Sequence, residues 1–498
     1  MAEAVATGPA RWAAAVVAAV TLGVGALAVN RFLVGVFYDD GLYAGLALAL
    51  VRGAGYVHPH LPGTPGCIHY PPLYPLVLAP LYAALPTAGA GLAAKLLNLA
   101  LAVGGAGLVA WHAVRADLLG TGAPRWLAPA VVAAAATAIP TLATQSVLFS
   151  EPLFAVLLAV AVIAADRDRP LLAGIAAALA LLTRTIGVAA GVGIAIHLLR
   201  RRAPARSILM ALGPVGIAAL GWGAWVATHR AGIDPALALN YGSYAEVLRQ
   251  TGFGALGTSA FDLLRPLLGL TVGWVSWTPL RLVLTLATVA LGAYGLWKIG
   301  GRSAIGPVLA AYLAVLAIWP YPADRFLWAV LPWLALAWAA GVVAMTARPP
   351  LRAGAVVVAA AAALGFGMYQ VRGLSGRWWE GAARGVSSNF EELLPAVREM
   401  PADVVLATDD EALVWLYTAR TAVPFYLYAY RGATVVEPTP EEHRAYLERQ
   451  GVTHVLLASA SSGSAGELRR LLGAYPAWLR PVRSWPGGRW LYEVRRDP

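Results

Sequence analysis

The sequence predicts a polytopic α-helical membrane protein with a small α/β domain at its C-terminal end. Hydrophobic residues make up 59% of the 498 positions and charged residues only 13%, which is too apolar for a soluble chain of this length. Apolar stretches long enough to cross a bilayer recur as far as about residue 370. Residues 371–498 differ, because they hold fifteen arginines and fifteen acidic residues. We therefore expect a transmembrane domain over 1–370 and a soluble domain over 371–498.

The membrane part is expected to contain about eleven transmembrane helices. The first apolar run, from Trp12 to about Val36, is too long for the core of a signal peptide and is interpreted as an uncleaved span. The predicted spans are 12–36, 90–114, 126–145, 151–165, 170–184, 186–199, 207–229, 278–298, 303–319, 326–346 and 353–370.

Basic residues predict the orientation of these spans. With the N-terminus in the cytoplasm, the inner loops contain most of the basic residues of the membrane part, as the positive-inside rule requires. These residues are Arg115, Arg125, Arg167, Arg169, Arg200, Arg201, Arg202, Arg206, Lys298, Arg302, Arg348 and Arg352. An odd number of spans then places the C-terminal domain outside the cytoplasm. The net charge of +11 is explained by this asymmetry and by anionic membrane lipids, so it does not indicate a nucleic-acid partner.

Several charged residues fall on the predicted outer face, at the ends of different spans. They are Asp39, Asp40, Glu151, Arg184, Asp324 and Arg325. Charges at the edge of the hydrocarbon region are costly, and their clustering on one face indicates a functional site. The alternative for each residue alone is an ordinary interfacial anchor.

The first outer loop, over 37–72, is expected to hold the acidic pair between two short interfacial helices. Asp40 is predicted to cap a helix from about Gly41 to Arg52. A second helix is expected to begin near Pro72 and to end at Pro86. Since one cap suffices for one helix, the carboxylate of Asp39 is unexplained by structure alone, and the helix N-terminus favours its ionised form. Such a group suits a base.

Two groups of residues could instead hold a metal ion. His58, His60 and His69 share the first outer loop with Cys67, and imidazoles suit zinc. Histidines hydrogen-bonded to loop backbone are the favoured alternative. In the C-terminal domain, residues 409–411 are all acidic, and we interpret them as capping residues of a strand-to-helix turn. The lone Cys67 excludes an intramolecular disulfide.

The C-terminal domain alternates strand-like and helix-like segments, which is typical of a small α/β fold. Strand-like segments are predicted at 403–409, 433–438, 453–459 and 489–495, and helical segments at 410–420, 440–451 and 466–476. The domain has neither a Gly-rich phosphate loop nor a nucleophile elbow. We interpret it as a lid or acceptor-binding module.

A series of motifs resembles the GT-C glycosyltransferases, in particular bacterial relatives of protein O-mannosyltransferases and of the lipid A aminoarabinose transferases. In chain order the motifs are YDDGLYAGLALALVRGAGY from residue 38, HYPPLYPLVLAPLY from residue 69, SEPLF from residue 150, LAGIAAALALLTRTIG from residue 172 and YPADRFLWAVLPWLALA from residue 321. The resemblance covers roughly residues 12–370. It implies the GT-C membrane fold, a donor sugar linked to polyprenyl phosphate, and a location in the bacterial cytoplasmic (inner) membrane.

The resemblance also implies roles for individual residues. Asp39 matches the acidic base of the family, with Asp40 as the second catalytic candidate. Four residues are assigned to the donor phosphate: Arg184, Arg325, Tyr70 and His69. The sugar or acceptor pocket is assigned to Glu151, Tyr43 and Asp324. One base without a second carboxylate nucleophile predicts a single displacement with inversion.

The predicted activity is therefore that of an inverting hexosyl- or pentosyltransferase, acting on a protein, glycan or lipid acceptor. A monophosphate leaving group can be stabilised by arginines, so no cofactor is expected to be required, although a divalent metal remains an alternative. The competing interpretations are a transporter or flippase of lipid-linked saccharides and a membrane scaffold. A transporter would more often show internal repeats and polar residues at the bilayer midplane.

Overall fold

The computed structural model describes residues 2–251, 256–319, 321–431 and 434–495. The chain forms two compact units. Unit 1 consists of Met1–Val29, Lys95–Trp222 and Ala255–Glu380, and unit 2 consists of Asn30–Ala94, Gly223–Gly254 and Gly381–Pro498. Unit 2 thus combines the C-terminal segment with two earlier segments of the chain.

Helices account for most of the described residues. In chain order they are α1 (Ala2–Gly25), α2 (Asp39–Val51), α3 (Leu73–Ala84), α4 (Thr87–Arg115), α5 (Leu127–Ala136), α6 (Ile139–Ser146), α7 (Glu151–Asp166), α8 (Pro170–Thr183), α9 (Val188–Arg200), α10 (Ala205–His229), α11 (Ala238–Tyr241), α12 (Tyr244–Thr251), α13 (Leu256–Thr271), α14 (Thr278–Gly300), α15 (Ile305–Leu316), α16 (Asp324–Ala329), α17 (Leu331–Thr346), α18 (Pro349–Gly376), α19 (Gly381–Glu399), α20 (Glu411–Thr418), α21 (Pro440–Arg449) and α22 (Gly463–Ala474). Short 3-10 helices cover Ala26–Ala28, Thr185–Gly187, Arg230–Gly232 and Pro235–Leu237.

The apolar helices are those of a multi-pass membrane protein. Within the described residues five helical segments are long and apolar enough to cross a bilayer, or six if α5 and α6 form one broken span. Five shorter apolar segments of 10–17 residues accompany them. Each of the eleven predicted spans overlaps a helix, but their number as membrane spans stays a prediction because several of these helices are short.

Glycines let the helices of unit 1 approach one another closely. A Cβ atom on Gly295 of α14 would lie 1.7 Å from the Ala337 carbonyl oxygen of α17, and one on Gly341 of α17 would lie 2.0 Å from the Leu291 carbonyl oxygen of α14. Small residues at such crossings are typical of packed membrane helices. Only glycine fits at these two positions.

Two sequence predictions about the helices were wrong in detail. The first span was expected to reach residue 36, but α1 ends at Gly25 and its 3-10 extension at Ala28. The span predicted over 126–145 is broken, because α5 and α6 meet at an angle of 48°. Helix α13 lies between two predicted spans and was not predicted.

Unit 2 contains a five-stranded mixed sheet. Its strands are β1 (Val405–Thr408), β2 (Thr421–Pro424), β5 (His454–Leu457), β6 (Leu479–Trp485) and β7 (Arg489–Val494), and a separate hairpin is formed by β3 (Ala429–Arg431) and β4 (Thr434–Val436). The spatial order is β2-β1-β5-β7-β6. The first three strands are parallel, and β7 is antiparallel to both of its neighbours. The buried residues of β1, β2 and β5 form an apolar core beneath α20 and α21.

The first outer loop belongs to unit 2 and contains the two short helices that the sequence predicts. The helix expected near Pro72–Pro86 is α3. The helix expected at Gly41–Arg52 is α2, which begins two residues earlier, at Asp39. This shift moves both aspartates from the flank into the first turn of the helix.

Candidate active site

The sequence-predicted site residues fall into two groups. Unit 2 contains Asp39, Asp40, Tyr43, His69 and Tyr70, and unit 1 contains Glu151, Arg184, Asp324 and Arg325. Each group has its own geometry and is described by itself.

Asp39 follows a strained turn. Tyr38 has φ 63° and ψ −75°, and the Asp39 N–H donates to the Phe37 carbonyl at 2.8 Å, which together form a γ-turn with the rarer sign of φ. Such a conformation costs on the order of 1–3 kcal/mol in a non-glycine residue and is concentrated at functional sites. The turn fixes the direction in which α2 begins, and Asp39 is its first residue.

Asp40 anchors this turn to the preceding backbone. Its side chain is fully buried, and its two oxygens accept hydrogen bonds from the N–H groups of Gly35 and Phe37, both at 2.9 Å. The predicted role as helix cap is therefore wrong: Asp40 binds backbone donors that precede the helix, and it lies within α2 itself. Because both oxygens are engaged by main chain, the structure favours Asp39 over Asp40 as a proton acceptor.

Tyr70 holds the carboxylate of Asp39. Its hydroxyl donates to Asp39 Oδ1 at 2.8 Å, and Asp39 is only half-buried. Burial, with the Asp39 carboxylate adding to it, raises the pKa of Tyr70 well above its ordinary value, so the phenol remains a donor. A donated hydrogen bond and the N-terminal end of α2 both favour ionised Asp39.

Tyr43 and His69 pack around Tyr70. The Tyr43 ring meets the rings of Tyr70 and Tyr74 edge-on, at centroid distances of 5.1 and 4.9 Å. His69 donates from Nδ1 to the Gly242 carbonyl at 2.8 Å, since a carbonyl can only accept.

A second buried polar cluster in unit 2 links the first outer loop to α20. With Glu411 ionised, the Tyr241 hydroxyl donates to Glu411 Oε1 and accepts from His60 Nε2–H at 2.9 Å. His58 lies against the Tyr241 ring with a centroid distance of 4.7 Å, and neither of its ring nitrogens has a hydrogen-bond partner among the described residues. Burial lowers the pKa of His60 to about 3 and raises the pKa of Glu411 to about 7.

These contacts revise the interpretation of the acidic triplet. Asp410 occupies the N-cap position of α20, but its side chain makes no capping hydrogen bond within the described residues. Glu411 instead takes part in the cluster with Tyr241. In the part of the chain that the structure describes, no group of three or more His, Cys, Asp or Glu side chains is arranged to hold a metal ion. The metal requirement of the reaction stays a prediction.

Unit 1 brings Glu151 together with both predicted arginines. Glu151 begins α7 and is 1% exposed. Its Oε1 is 3.0 Å from Arg184 Nη1 and 3.0 Å from both Nε and Nη2 of Arg325. Arg184 also donates to Ser150 Oγ at 3.0 Å. Two guanidinium groups thus share one carboxylate, which leaves the Glu151 cluster with a formal charge of +1.

Aromatic rings orient the two guanidinium groups. Arg325 lies over the Phe149 ring at 3.6 Å from the centroid, and Arg184 lies over the Phe326 ring at 4.4 Å. Asp324, the first residue of α16, precedes Arg325 and is half-buried. Desolvated cation–π contacts of this kind are worth on the order of 2 kcal/mol. They hold the planar groups in fixed orientations.

Sequence reasoning missed three contributors to these arrangements. Tyr241 and Gly242 come from a segment between two predicted spans for which the sequence analysis made no prediction, and the break between α5 and α6 was not predicted. The signal for the break was present, because Pro140 stands one residue inside α6, where proline is favoured in the first turn of a helix.

Comparisons with known proteins identify the fold. No family model and no curated protein matches the chain. Among solved structures, ArnT from Cupriavidus metallidurans in its apo state superposes with a TM-score of 0.54 at 17% sequence identity, covering 96% of this chain and 97% of ArnT. The oligosaccharyltransferase of Archaeoglobus fulgidus in complex with Zn and sulfate superposes with a TM-score of 0.51 at 13% identity, covering 97% of this chain and 73% of the archaeal protein. Another structure of that enzyme, tethered to an acceptor peptide containing the NVT sequon, gives a TM-score of 0.50 at 13% identity.

Both of these proteins are GT-C glycosyltransferases. The superpositions extend over nearly the whole of this chain, so the predicted GT-C fold is confirmed. At these levels of identity the likeness concerns the fold and not the activity.

Proposed function

We propose that the protein is a membrane glycosyltransferase that moves a sugar from a polyprenyl-phosphate-linked donor to an acceptor hydroxyl, with inversion at the anomeric carbon. The observation that carries the proposal is the carboxylate of Asp39, fixed by the Tyr70 hydroxyl at the first residue of a helix that follows a strained turn. The GT-C fold supports it.

Asp39 has the properties that a general base needs. Its carboxylate is kept ionised by Tyr70 and by the helix N-terminus, and it is partly accessible. In the proposed step Asp39 accepts the proton of the acceptor hydroxyl as the hydroxyl oxygen bonds to the anomeric carbon. The bond between that carbon and the phosphate oxygen breaks, and polyprenyl phosphate leaves. One displacement inverts the anomeric configuration.

The Glu151 cluster suits the leaving phosphate. Arginine presents a planar fork of donors that matches phosphate oxygens, and both guanidinium groups are held in place by Glu151 and by aromatic rings. The excess positive charge of the cluster favours an anion. We assign Arg184 and Arg325 to the donor phosphate, and His69 and Tyr70 to a supporting role in donor binding.

The proposal places the protein in the bacterial cytoplasmic (inner) membrane, with its N-terminus in the cytoplasm and its C-terminal residues outside. It covers hexosyl or pentosyl donors and protein, glycan or lipid acceptors. Tyr43 and Asp324 are assigned to the pocket for the sugar or the acceptor. No metal is assigned a step.

The test is transfer by purified protein in lipid nanodiscs, offered defined polyprenyl-phosphate sugars and a mixed envelope extract as acceptor. Wild type should release polyprenyl phosphate and label an acceptor, and Asp39→Asn should reduce both rates by several orders of magnitude. Asp403→Asn is the matched control, because Asp403 is an exposed carboxylate of unit 2, and it should retain full activity. Donor movement across liposomes without release of polyprenyl phosphate would instead identify a transporter.

A second test addresses the phosphate. Arg325→Gln should raise the KM for the donor more than it lowers kcat, since the guanidinium is assigned to donor binding. An unchanged dependence on donor concentration would contradict the assignment of Arg325 and leave that of Asp39 intact.

A further inference from the structure

A cavity in unit 1 has a wall in which three polar side-chain atoms have no hydrogen-bond partner among the described residues. It is lined by α4, the broken pair α5 and α6, α7, α16 and α17. Most of the lining is apolar, as at Leu101 and Trp328, and the polar part includes Thr144, Gln145 and Glu151. This composition is typical of small-molecule sites, which are mostly apolar with a few placed polar groups.

Gln145 is the most unusual group in this lining. Its side chain is 2% exposed, and neither its amide oxygen nor its amide nitrogen has a hydrogen-bond partner among the described residues. The second oxygen of Glu151, Oε2, is also unpartnered there, while Oε1 binds the two arginines. Buried polar atoms without partners are rare, because each one forfeits its hydration. Both residues line the same cavity, and together they contribute an amide NH₂ group and two acceptor oxygens without partners among the described residues.

Gly25 lies close to the Gln145 amide. A Cβ atom on Gly25 would lie 2.8 Å from Gln145 Oε1 and 2.7 Å from Leu99 Cδ1, so a side chain at that position would require both of these side-chain ends to shift. Gln145 lies in the last turn of α6, the short helix that follows the 48° break. Irregular backbone at membrane depth is tolerated where it lines a cavity, and polar side chains there mark substrate sites.

We infer that Gln145 and Glu151 Oε2 bind hydroxyl groups of the donor sugar in this cavity, and that Gln145 determines which sugar is accepted. This inference rests on the proposed function. A hydroxyl both donates and accepts, so the hydroxyls of a sugar ring complement an amide and a carboxylate oxygen that line one cavity. Trp328 supplies a flat apolar surface for the less polar face of the ring. A site that hydrogen-bonds a substrate hydroxyl rejects the analogue that lacks it, because the buried partners are then left unpaired.

Gln145→Met tests the inference, with Gln370→Met as the matched control. Gln370 is also a glutamine of unit 1, but its Oε1 accepts from the Ile139 N–H at 2.9 Å and its Nε2 donates to the Thr137 carbonyl at 3.4 Å. Methionine is close to glutamine in size, so each substitution chiefly removes the amide. Without ligand, Gln145→Met should raise the midpoint of thermal unfolding by about 2 °C, because an unsatisfied buried group is removed. Gln370→Met should lower it.

Binding and selectivity provide the second readout. Wild type should be stabilised more by a polyprenyl-phosphate sugar than by polyprenyl phosphate alone, and Gln145→Met should abolish that difference. The preference of wild type for the sugar over its deoxy analogue, measured as a ratio of kcat/KM, should fall about tenfold in Gln145→Met and stay unchanged in Gln370→Met.

The outcomes separate the two proposals. A wild type that binds the sugar-bearing lipid more tightly than the bare lipid, without transferring sugar, would overturn the proposed function and support the inference. The inference is overturned if Gln145→Met lowers stability as much as Gln370→Met, because the amide is then satisfied without sugar. It is also overturned if Gln145→Met keeps the sugar-dependent stabilisation and selectivity of wild type, or if wild type is stabilised no more by the polyprenyl-phosphate sugar than by polyprenyl phosphate alone.

Discussion

Replacing Asp40 with asparagine should destabilise the protein by about 3 kcal/mol, whereas the same replacement at Asp39 should leave its stability close to that of wild type. The two carboxylates are adjacent in sequence and identical in chemistry, so the pair isolates the effect of environment. Asp40 is fully buried and binds two backbone N–H groups at 2.9 Å. Asp39 is half-buried and binds the Tyr70 hydroxyl.

The magnitude follows from those contacts. Asparagine has one acceptor oxygen, so Asp40→Asn retains at most one of the two bonds and turns an amide NH₂ toward the other N–H group. A hydrogen bond to a charged group contributes about 1.5–3 kcal/mol, and an unsatisfied buried donor costs about 1–3 kcal/mol. At Asp39 the asparagine oxygen can still accept from Tyr70, which limits the loss to about 1 kcal/mol.

The turn that Asp40 holds has little room to relax. Gly35 has φ 101°, and a Cβ atom at that residue would lie 2.6 Å from the Leu413 Cβ atom of α20. Tyr38 is strained as well, so releasing the anchor should allow the turn to rearrange. Asp40→Asn should therefore lose transfer activity as a consequence of misdirecting Asp39.

The assay is thermal unfolding of each purified variant in nanodiscs, followed by transfer measurements at a temperature where the variant is folded. The midpoint should fall by about 3 °C for Asp40→Asn and by no more than about 1 °C for Asp39→Asn, since the entropy of unfolding scales with chain length. An Asp40→Asn protein with the wild-type midpoint and no activity would refute this reasoning and make Asp40 a participant in the chemistry.

Three further predictions concern Tyr70, Glu151 and Glu411. Tyr70→Phe should lower kcat about tenfold, because Asp39 loses its orienting donor. The control is Tyr426→Phe, which removes an exposed hydroxyl that is bound to Glu437 at 3.0 Å, and it should leave kcat unchanged. Glu151→Gln should lower the unfolding midpoint, because it leaves two arginines without their buried carboxylate at a cost of about 3 kcal/mol or more. Added polyprenyl phosphate should restore part of the lost stability. A midpoint equal to that of wild type would contradict the ion-pair geometry. Burial raises the pKa of Glu411 from 4.5 to about 7, so its contribution to stability is complete below pH 4.5 and is lost as pH rises through 7. Above pH 7, Glu411→Gln should therefore have a free energy of unfolding up to about 3 kcal/mol higher than that of wild type. Unfolding midpoints measured over a pH series should show this difference disappearing at pH 4.5.

The sequence predicted the membrane helices because their signal is local. Apolar runs and basic inner loops depend only on composition within about twenty residues, and so does the helix at α3. The break between α5 and α6 was missed because residues 126–145 contain no charged residue, and hydropathy carries no information about the direction of a helix. Helix α13 was missed because Asp262 and Arg265 interrupt its apolar pattern.

The site could be predicted only as a set of residues. Asp39 was predicted as a site residue because it follows a span, and Glu151, Arg184 and Arg325 were predicted because they are charged. Their contacts were not predicted, because the partners are distant in sequence. Tyr70 is 31 residues from Asp39, and Arg325 is 174 residues from Glu151. Asp40 shows most clearly what the sequence does not reveal. Its side chain was expected to accept hydrogen bonds from the helix that follows it, but the N–H groups that it binds precede it in the chain.

The arrangement around Glu151 explains how a buried cationic site can exist before an anion arrives. Two desolvated guanidinium groups without a counter-charge would be costly in a unit built of apolar helices. One shared carboxylate oxygen offsets most of that cost, and it leaves one positive charge in excess. The rings of Phe149 and Phe326 fix the orientation of the arginines, so an incoming phosphate need not reorganise them. Under the proposed function, the donor phosphate would therefore be bound by two arginines that are already oriented before it arrives.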